Sequence, residues 1–313
     1  MAQGKVLFID TAHPYLTDEL IMMGYNCVHY TGLSRKEILD QIQQYTGIII
    51  RSKIKLDKEA LDLAKNLRFI GRVGAGMENI DSQYAESKGI TCLNAPEGNR
   101  DAVAEHAMGM ILSLLNHLCR VNTEVRNGIW IRDNNRGTEI KGKTVGIIGF
   151  GNTGSEFAKR LTGFGADILV YDKYKSGFGN ELINEVPMDE VFESADIVSL
   201  HIPFTKETNQ LVSSNWIHHF KKPFYLINTS RGQCVNTTDL MTAIESGKIL
   251  GAALDVLECE QLSFENLDTA DLPPSIKALF QSDKVILSPH IAGWTVESHF
   301  KLAKTLVDKI RKL

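Results

Sequence analysis

The fold of this chain is decided by one stretch, Thr144-Val-Gly-Ile-Ile-Gly149-Phe-Gly151-Asn-Thr-Gly154, and by Asp172, which lies 18 residues further on. The apolar run at residues 145–148 predicts a buried strand, the glycines predict a tight turn, and residues 156–163 predict a helix. A second apolar run at residues 168–171 predicts the next strand, which ends at Asp172. Strand, glycine turn, helix, strand and acid in this order are typical of a dinucleotide-binding βαβ unit.

Each residue of this unit has a physical task. Gly149 allows the tight turn, Gly151 lets the backbone approach a pyrophosphate, and Gly154 lets helix and strand pack closely. Asp172 would accept hydrogen bonds from the adenosine ribose and repel a 2′-phosphate, so the sequence predicts NAD rather than NADP as the cofactor. Two lysines close to this acid, at positions 173 and 175, weaken that preference.

The composition limits the classes of protein that are possible. A chain of 313 residues with 43% hydrophobic and 23% charged residues suggests two globular domains. Its net charge of −4 gives no reason to expect nucleic acid or an anionic membrane as a partner. The five scattered cysteines show no metal-binding spacing and suit a reducing cytoplasm, so no metal is expected. No apolar run is long enough to span a membrane, and none resembles a signal peptide.

Short apolar runs alternate with helical patterns along both halves of the chain. Strands are predicted at residues 5–9, 26–30, 47–50, 67–71 and 90–93, and again at 145–148, 168–171, 196–200, 224–227, 251–254 and 285–287. Such alternation predicts parallel sheets, in which ligands lie outside the C-terminal ends of the strands. In the first half this places five candidate substrate-binding residues at one edge: Arg51, Ser52, Arg72, Gly74 and Ala75.

Three longer segments carry further expectations. Residues 94–99 form a turn-rich candidate linker, and Asp101 is placed to cap a long helix at residues 102–125. That helix is apolar on nearly all sides, which predicts burial, partly in a subunit interface. Residues 257–283 are acidic and weakly patterned, and residues 295–313 predict a terminal amphipathic helix.

Three chemically active residues follow predicted strands of the second half: Arg231, Asp255 and His290. Hydride transfer needs a substrate clamp and a proton donor or acceptor beside the nicotinamide, which guanidinium and imidazole groups can provide. A neighbouring carboxylate would stabilise the imidazolium, but the spacing does not decide between Glu258 and Glu260.

Three other histidines are weaker candidates for acid–base work. His201 ends a strand too, but the turn at Pro203 favours a backbone contact with the cofactor over acid–base work. His218 and His219 follow no strand, so they are interpreted as structural residues.

The chain resembles the D-isomer-specific 2-hydroxyacid dehydrogenase family over nearly its whole length. The matching stretches are Gly71-Arg-Val-Gly-Ala-Gly76 with Asn79-Ile-Asp81, Trp130 with Gly137 and Glu139, Gly142-Lys-Thr-Val-Gly-Ile-Ile-Gly149, Leu200-His-Ile-Pro203, Asn228-Thr-Ser-Arg-Gly232, Ala253-Leu-Asp-Val256 and Ser288-Pro-His-Ile-Ala-Gly293. Within the family, the chain is most similar to the branch that oxidises 3-phosphoglycerate.

The resemblance implies an α/β fold with two Rossmann-like, doubly wound parallel-sheet domains. A flavodoxin-like substrate domain at residues 1–97 and 288–313 would be interrupted by an NAD-binding domain at residues 98–287. It also implies a homodimer built around the helix from Ala102. The implied catalytic residues are Arg231, Glu260 and His290. The implied cofactor-binding residues are Gly149, Gly151, Asn152, Thr153, Gly154, Asp172, His201, Pro203, Thr229, Asp255 and Gly293.

The expected activity is therefore hydride transfer between NAD and a D-2-hydroxyacid, with 3-phosphoglycerate of serine biosynthesis as the leading substrate. Arg51 and Arg72 are both expected to bind the phosphate, since Arg231 already serves the carboxylate, with backbone N–H groups near Gly74 and Ala75 assisting. The alternatives are a reductase of glyoxylate or hydroxypyruvate, a D-lactate dehydrogenase, or an NAD-sensing dimeric scaffold of the corepressor type.

Three departures from the family pattern are visible. Gln261 follows Glu260 where the family usually has proline, and the segment from there to His290 is longer than usual. The chain also ends soon after the predicted terminal helix, so a regulatory domain and serine feedback are not expected.

Overall fold

A computed structural model describes residues 3–260 and 272–313. Within these ranges the chain forms two compact units, the first made of residues 3–100 and 294–313 and the second of residues 101–260 and 272–293. Much of the acidic segment at residues 257–283 lies outside the described residues.

The described elements alternate along most of the chain. The strands are β1 (Gly4–Phe8), β2 (Tyr25–His29), β3 (Gly47–Ile50), β4 (Phe69–Arg72), β5 (Thr91–Leu93), β6 (Thr144–Ile148), β7 (Asp167–Tyr171), β8 (Asn184–Glu185), β9 (Ile197–Leu200), β10 (Phe224–Asn228), β11 (Ile249–Leu254) and β12 (Val285–Leu287). The helices are α1 (Pro14–Met22), α2 (Arg35–Leu39), α3 (Lys58–Leu63), α4 (Ser82–Ser87), α5 (Pro96–Leu115), α6 (Leu118–Arg126), α7 (Asn152–Leu161), α8 (Met188–Ser194), α9 (Ser214–His219), α10 (Thr237–Glu245), α11 (Pro274–Gln281) and α12 (Val296–Ile310).

The first unit is a parallel sheet with the order β2-β1-β3-β4-β5, which is the flavodoxin-like order. Side chains alternate between its two faces, because successive residues of a strand point to opposite sides. Val6 and Phe8 pack with the apolar face of α12, whereas Leu7 and Ile9 pack in a second core on the other face. The C-terminal helix therefore belongs to the N-terminal unit.

The second unit is a seven-stranded parallel sheet with the order β12-β11-β10-β9-β6-β7-β8. The strand order reverses between β6 and β9, which is the switch point where dinucleotides bind in doubly wound folds. Apolar cores cover both faces of this sheet. The predicted α/β class with two doubly wound parallel sheets is confirmed.

The prediction of one long helix at residues 102–125 is wrong. The structure has two helices, α5 and α6, separated by Asn116 and His117. His117 adopts the left-handed conformation with φ 53°, and the Asn116 side chain donates to the carbonyl of Leu112, 3.0 Å away, so the chain turns out of the first helix. Nine apolar residues of α5 are buried, whereas α6 has none.

Two other expectations need correction. Most of the predicted linker at residues 94–99 is the first turn of α5, because Pro96 is compatible with the first position of a helix. In the segment considered weakly patterned, α11 also begins with a proline and buries Ile276 and Leu279, which are three residues apart.

Candidate active site

The three glycines of the turn after β6 lie in different surroundings, which explain why each position lacks a side chain. A Cβ at Gly149, where φ is 96°, would lie 2.4 Å from the carbonyl oxygen of His201, and a Cβ at Gly154 would lie 2.1 Å from that of Gly149. Packing therefore excludes any side chain at both. At Gly151 a Cβ would meet nothing within 4 Å, so open space lies beside the N-terminus of α7. This is where a pyrophosphate can approach the backbone.

Asp172 lies at the end of β7, and its carboxylate organises the same turn. It accepts hydrogen bonds from the backbone N–H groups of Phe150, Tyr174 and Lys175, at 2.7, 2.9 and 3.0 Å. Burial raises its pKa, but the three N–H groups and the ammonium of Lys175 outweigh that, so the pKa of Asp172 is lowered. The group is a carboxylate at neutral pH, as recognition of ribose hydroxyls requires.

His201 is a buried support of the glycine turn. Its Nε2 is 2.9 Å from Ser199 Oγ and its Nδ1 is 3.2 Å from Thr153 Oγ1, on the first turn of α7. Burial lowers the pKa of His201 to about 3, so the ring is neutral at physiological pH. The side chain therefore fixes Thr153 and does not exchange protons with a substrate.

The remaining predicted cofactor residues surround this turn and the neighbouring strand ends. Asn152 is the first residue of α7, Pro203 accepts a hydrogen bond from Thr208 Oγ1 at 2.7 Å, and Gly293 ends the second unit. Within the described part of the chain, the buried hydroxyl of Thr229 has no hydrogen-bond partner. A buried hydroxyl without a partner, just after β10 of the same sheet, suits a cofactor rich in hydrogen-bonding groups.

The predicted acid–base pair is in contact. His290 Nδ1 lies 2.8 Å from Glu260 Oε2, and both side chains are largely buried. His290 is left-handed, with φ 56°, a conformation that is uncommon for a residue other than glycine and that clusters at functional sites. Its backbone N–H donates to the carbonyl of Asp255, 2.7 Å away.

Arg231 comes directly before Gly232, which packs against the loop that ends at Glu260. A Cβ at Gly232 would lie 1.9 Å from the carbonyl oxygen of Leu257, so only glycine fits this contact. The turn is held by the Asn228 side chain, which donates to the Arg231 carbonyl, 2.9 Å away. The fold thus places the loops of Arg231 and Glu260 side by side.

The structure decides between the two acids that the spacing left open. Glu258 points elsewhere: its Oε2 accepts hydrogen bonds from the backbone N and Oγ1 of Thr237, at 3.0 and 2.9 Å. Its other oxygen accepts from Gln210 Nε2 at 3.2 Å. Glu260 is therefore the partner of His290.

Replacement of the two acids by glutamine should separate their roles. Glu260→Gln should lower kcat at least about tenfold, because a charge-assisted hydrogen bond to the imidazolium contributes ~1.5–3 kcal/mol. Glu258→Gln is the matched control and should leave kcat within about twofold while lowering the melting temperature, since it weakens the cap on Thr237. Equal losses of kcat in the two variants, measured with saturating substrates, would contradict this assignment.

Asp255, predicted to bind the cofactor, also holds the loop that carries His290. Its carboxylate accepts from Ser288 Oγ at 2.6 Å and from the backbone N–H groups of Ile291 and Ala292, both at 2.8 Å. Ser288 donates its only proton here, so its oxygen accepts from His106 Nε2, 2.9 Å away. Neither His106 nor Ser288 was predicted as a site residue; Ser288 follows a strand and begins one of the stretches that match the family, whereas His106 has no such signal.

Two of the substrate-binding residues predicted for the first unit, Arg51 and Ser52, lie on the turn after β3. There Asp10 Oδ2 accepts from the backbone N–H groups of Arg51, Ser52 and Lys53, at 2.6, 3.1 and 3.3 Å. The backbone N–H groups of Arg51 and Ser52 are therefore already used, and any contact of these two residues with a substrate would be made by their side chains or carbonyl groups.

Arg72, predicted to bind the phosphate, is seated on its own turn. Its Nε donates to the Arg51 carbonyl at 3.2 Å, and a Cβ at Gly74 would lie 1.6 Å from its Nη1. The guanidinium of Arg72 therefore occupies the space that a side chain at position 74 would fill. The Gly74 N–H donates to the Arg72 carbonyl at 2.9 Å, which leaves Ala75 as the better candidate for a backbone contact with substrate.

Two kinds of site are not found in the described ranges. Among residues 3–260 and 272–313, no group of three or more His, Cys, Asp or Glu side chains is arranged to hold a metal ion. Of the helices in the same ranges, none combines the length and the apolar character that crossing a bilayer requires.

The family model described as the D-isomer specific 2-hydroxyacid dehydrogenase, NAD binding domain, matches residues 108–292. The chain belongs to the D-isomer-specific 2-hydroxyacid dehydrogenase family, and its second unit is an NAD-binding domain. The open space at Gly151 and the orphaned hydroxyl of Thr229 fit that cofactor.

Curated relatives and solved structures agree with this membership. D-3-phosphoglycerate dehydrogenase of Archaeoglobus fulgidus is 34% identical over 98% of this chain and 56% of its own length. Hydroxypyruvate reductase of Thermotoga maritima is 35% identical over 90% of this chain and 88% of its own length. The structure of D-lactate dehydrogenase from Aquifex aeolicus, complexed with NAD and lactic acid, superposes with a TM-score of 0.83 at 27% identity, covering 98% of this chain and 94% of that one. The chain spans about half the length of the phosphoglycerate dehydrogenases it matches.

Proposed function

We propose that the protein is an NAD-dependent D-2-hydroxyacid dehydrogenase that interconverts 3-phosphoglycerate and 3-phosphohydroxypyruvate. The observation that carries the chemistry is the contact of 2.8 Å between His290 Nδ1 and Glu260 Oε2 in an NAD-binding unit. The observation that supports the phosphate is the pair of arginines in the first unit: Arg51 directly follows β3, and Arg72 is the last residue of the neighbouring β4.

The hydrogen bond to Glu260 defines the proton that His290 can carry. A carboxylate only accepts, so Nδ1 bears a hydrogen and Nε2 of the neutral ring has the lone pair. Nε2 takes the hydroxyl proton of the substrate as its C–O bond becomes a carbonyl, and Glu260 stabilises the imidazolium that results. Arg231 binds the substrate carboxylate and polarises the neighbouring oxygen. NAD, when bound, supplies the ring that accepts the hydride.

Hydroxypyruvate is the second candidate substrate. The relative from Thermotoga maritima named hydroxypyruvate reductase matches this chain over 88% of its own length, more than the phosphoglycerate dehydrogenases do. The two substrates differ only in the phosphate, so the arginines of the first unit decide between them.

A screen of NADH oxidation against a panel of 2-oxoacids tests this proposal. The panel contains 3-phosphohydroxypyruvate, hydroxypyruvate, glyoxylate and pyruvate, each assayed with NADH and with NADPH. We expect the highest kcat/KM for 3-phosphohydroxypyruvate with NADH, since Asp172 is ionised where NADP carries its phosphate. Equal use of NADPH would overturn the cofactor preference, and a preference for an unphosphorylated acid would overturn the substrate.

We also propose a homodimer, on different grounds from those the sequence suggested. The apolar residues of α5 are mostly buried inside the chain, so that helix alone does not require a partner. Apolar side chains are instead exposed on α6 and just after it, at Leu118, Val125, Ile129, Trp130 and Ile131, and the last three are 44, 79 and 47% exposed. A contiguous patch of this kind in one unit is typical of a protein interface.

Sedimentation at micromolar concentration should give twice the chain mass of 34.9 kDa. Trp130→Ser combined with Val125→Ser should shift the protein towards the monomer, because both side chains lie in the apolar patch. A wild-type monomer would contradict the proposal. We further place the protein in the cytoplasm, because its five cysteines are scattered along the sequence with no metal-binding spacing, which suits a reducing compartment.

A further inference from the structure

The guanidinium of Arg51 lies over the ring of an exposed tryptophan of its own unit. Its Cζ is 4.1 Å from the centroid of the Trp294 ring. This distance is well within the range of a cation–π contact, which for arginine is also a stacking contact between two planar groups. Trp294 is 64% exposed, although tryptophan is usually buried.

The indole is held by a rigid segment. Trp294 directly precedes Thr295, which caps α12: Ser298 N donates to Thr295 Oγ1 at 3.0 Å, and Thr295 N donates to Ser298 Oγ at 2.9 Å. Reciprocal bonds of this kind fix the direction from which the chain enters a helix. At the other side of the contact, the backbone of Arg51 is held by Asp10. Both ends of the stack are therefore anchored to the same unit.

Stacking engages the face of a guanidinium and none of its five N–H donors, which lie in the plane of the group. An arginine held in this way keeps its charge and its donor edge while losing much of its rotational freedom. Less conformational entropy is then lost when an anion binds, and the geometry for a bidentate contact with a phosphate is set in advance.

A pair of histidines of the same unit lies near Arg51. His13 and His299 form an edge-to-face pair with ring centroids 5.2 Å apart. The pKa of His299 is lowered, first by burial and then by the charges of His13 and Arg51, so these three groups interact electrostatically. Asp10 is the nearby counter-charge, and its Oδ2 accepts from the three N–H groups of the turn. The positive charge here is carried by Arg51, and it attracts a dianion where a neutral hydroxymethyl group offers no charge.

We propose that Trp294 is a positioning residue for Arg51 and thereby a determinant of preference for phosphorylated 2-oxoacids over their unphosphorylated counterparts. The proposal rests on the proposed function above, because it assigns Arg51 to the substrate phosphate. Trp294 itself touches the guanidinium and not the reacting atoms, so its loss affects the binding of one class of substrate and not the hydride step.

The test is a double-mutant cycle between Trp294→Ala and Arg51→Met. The quantity measured is the selectivity ratio, kcat/KM for 3-phosphohydroxypyruvate divided by that for hydroxypyruvate. Trp294→Ala should lower this ratio about three- to thirtyfold, the size of a cation–π contact, through KM for the phosphorylated substrate with kcat unchanged. In the Arg51→Met background the same replacement should have no further effect. Trp294→Phe keeps an aromatic face and should recover most of the ratio.

The possible outcomes separate this inference from the substrate assignment. If the wild-type enzyme shows no preference for the phosphorylated substrate, the proposed function fails. In that case the emission of Trp294, isolated by Trp130→Phe and Trp216→Phe, still tests the stack and should change on Arg51→Met. An unchanged emission would overturn the positioning role. If the preference exists and Trp294→Ala leaves the selectivity ratio intact, or lowers it equally in both backgrounds, the inference fails while the proposed function stands.

Discussion

Replacement of His290 by asparagine or alanine should lower kcat by ~10²–10⁴, because the step loses the group that exchanges the hydroxyl proton. Asparagine is the better variant, since position 290 has φ 56° and asparagine tolerates the left-handed region where alanine is strained. The backbone bond to Asp255 should then survive. NADH should bind with nearly wild-type affinity, measured by fluorescence titration, because the glycine turn and Asp172 remain intact.

His218→Ala is the matched control for that experiment. His218 is exposed on α9, where its Nδ1 contacts the carbonyl of Ser214, 2.6 Å away, one turn earlier in the same helix. Its loss should leave kcat unchanged. Activity within tenfold of wild type in His290→Asn would move the acid–base role to another group, and loss of NADH binding in the same variant would point to a role in holding the cofactor.

Replacement of both Arg51 and Arg72 by methionine should raise KM for 3-phosphohydroxypyruvate about a hundredfold. Each charge-assisted hydrogen bond to a phosphate contributes ~1.5–3 kcal/mol, which is at least tenfold per arginine. KM for hydroxypyruvate should change little, because that substrate has no phosphate. Initial rates at saturating NADH measure both constants.

Arg68→Met provides the control for the loss of charge. Arg68 is exposed just before β4, at the opposite end of the strand from Arg72. Its removal lowers the net positive charge of the unit in the same way but should leave both values of KM unchanged. If the double variant treated the two substrates alike, the phosphoglycerate assignment would fall and the general 2-hydroxyacid dehydrogenase would remain.

The sheets were predictable because their strands are short apolar runs bounded by turn residues. The run at residues 145–148 became β6 of the second sheet, and Gly47–Ile50 became the fully buried β3 of the first. The break between α5 and α6 was not predictable, because Asn116 and His117 are both acceptable inside a helix. Only tertiary structure places His117 in the left-handed region.

The residues of the candidate site were predictable where a chemically active side chain directly follows a strand. That rule brought forward Arg231, Asp255 and His290, since parallel strands end at one edge of their sheet. It could not find His106, which lies in the middle of a helix and reaches Ser288 across 182 positions of sequence. Spacing alone could not choose between Glu258 and Glu260, which are separated by one residue; the resemblance to the family implied Glu260, and the contact with His290 supports that choice.

The turn after β3 has a consequence for how substrate range could diverge in such a chain. Its backbone donors are satisfied by the protein's own Asp10, so the turn keeps its shape whether or not a substrate is present. The side chain at position 51 can therefore be replaced without removing the hydrogen bonds that hold the turn. If Arg51 binds the substrate as proposed, a single codon change at this position could alter the substrate preference while the fold of the turn is retained.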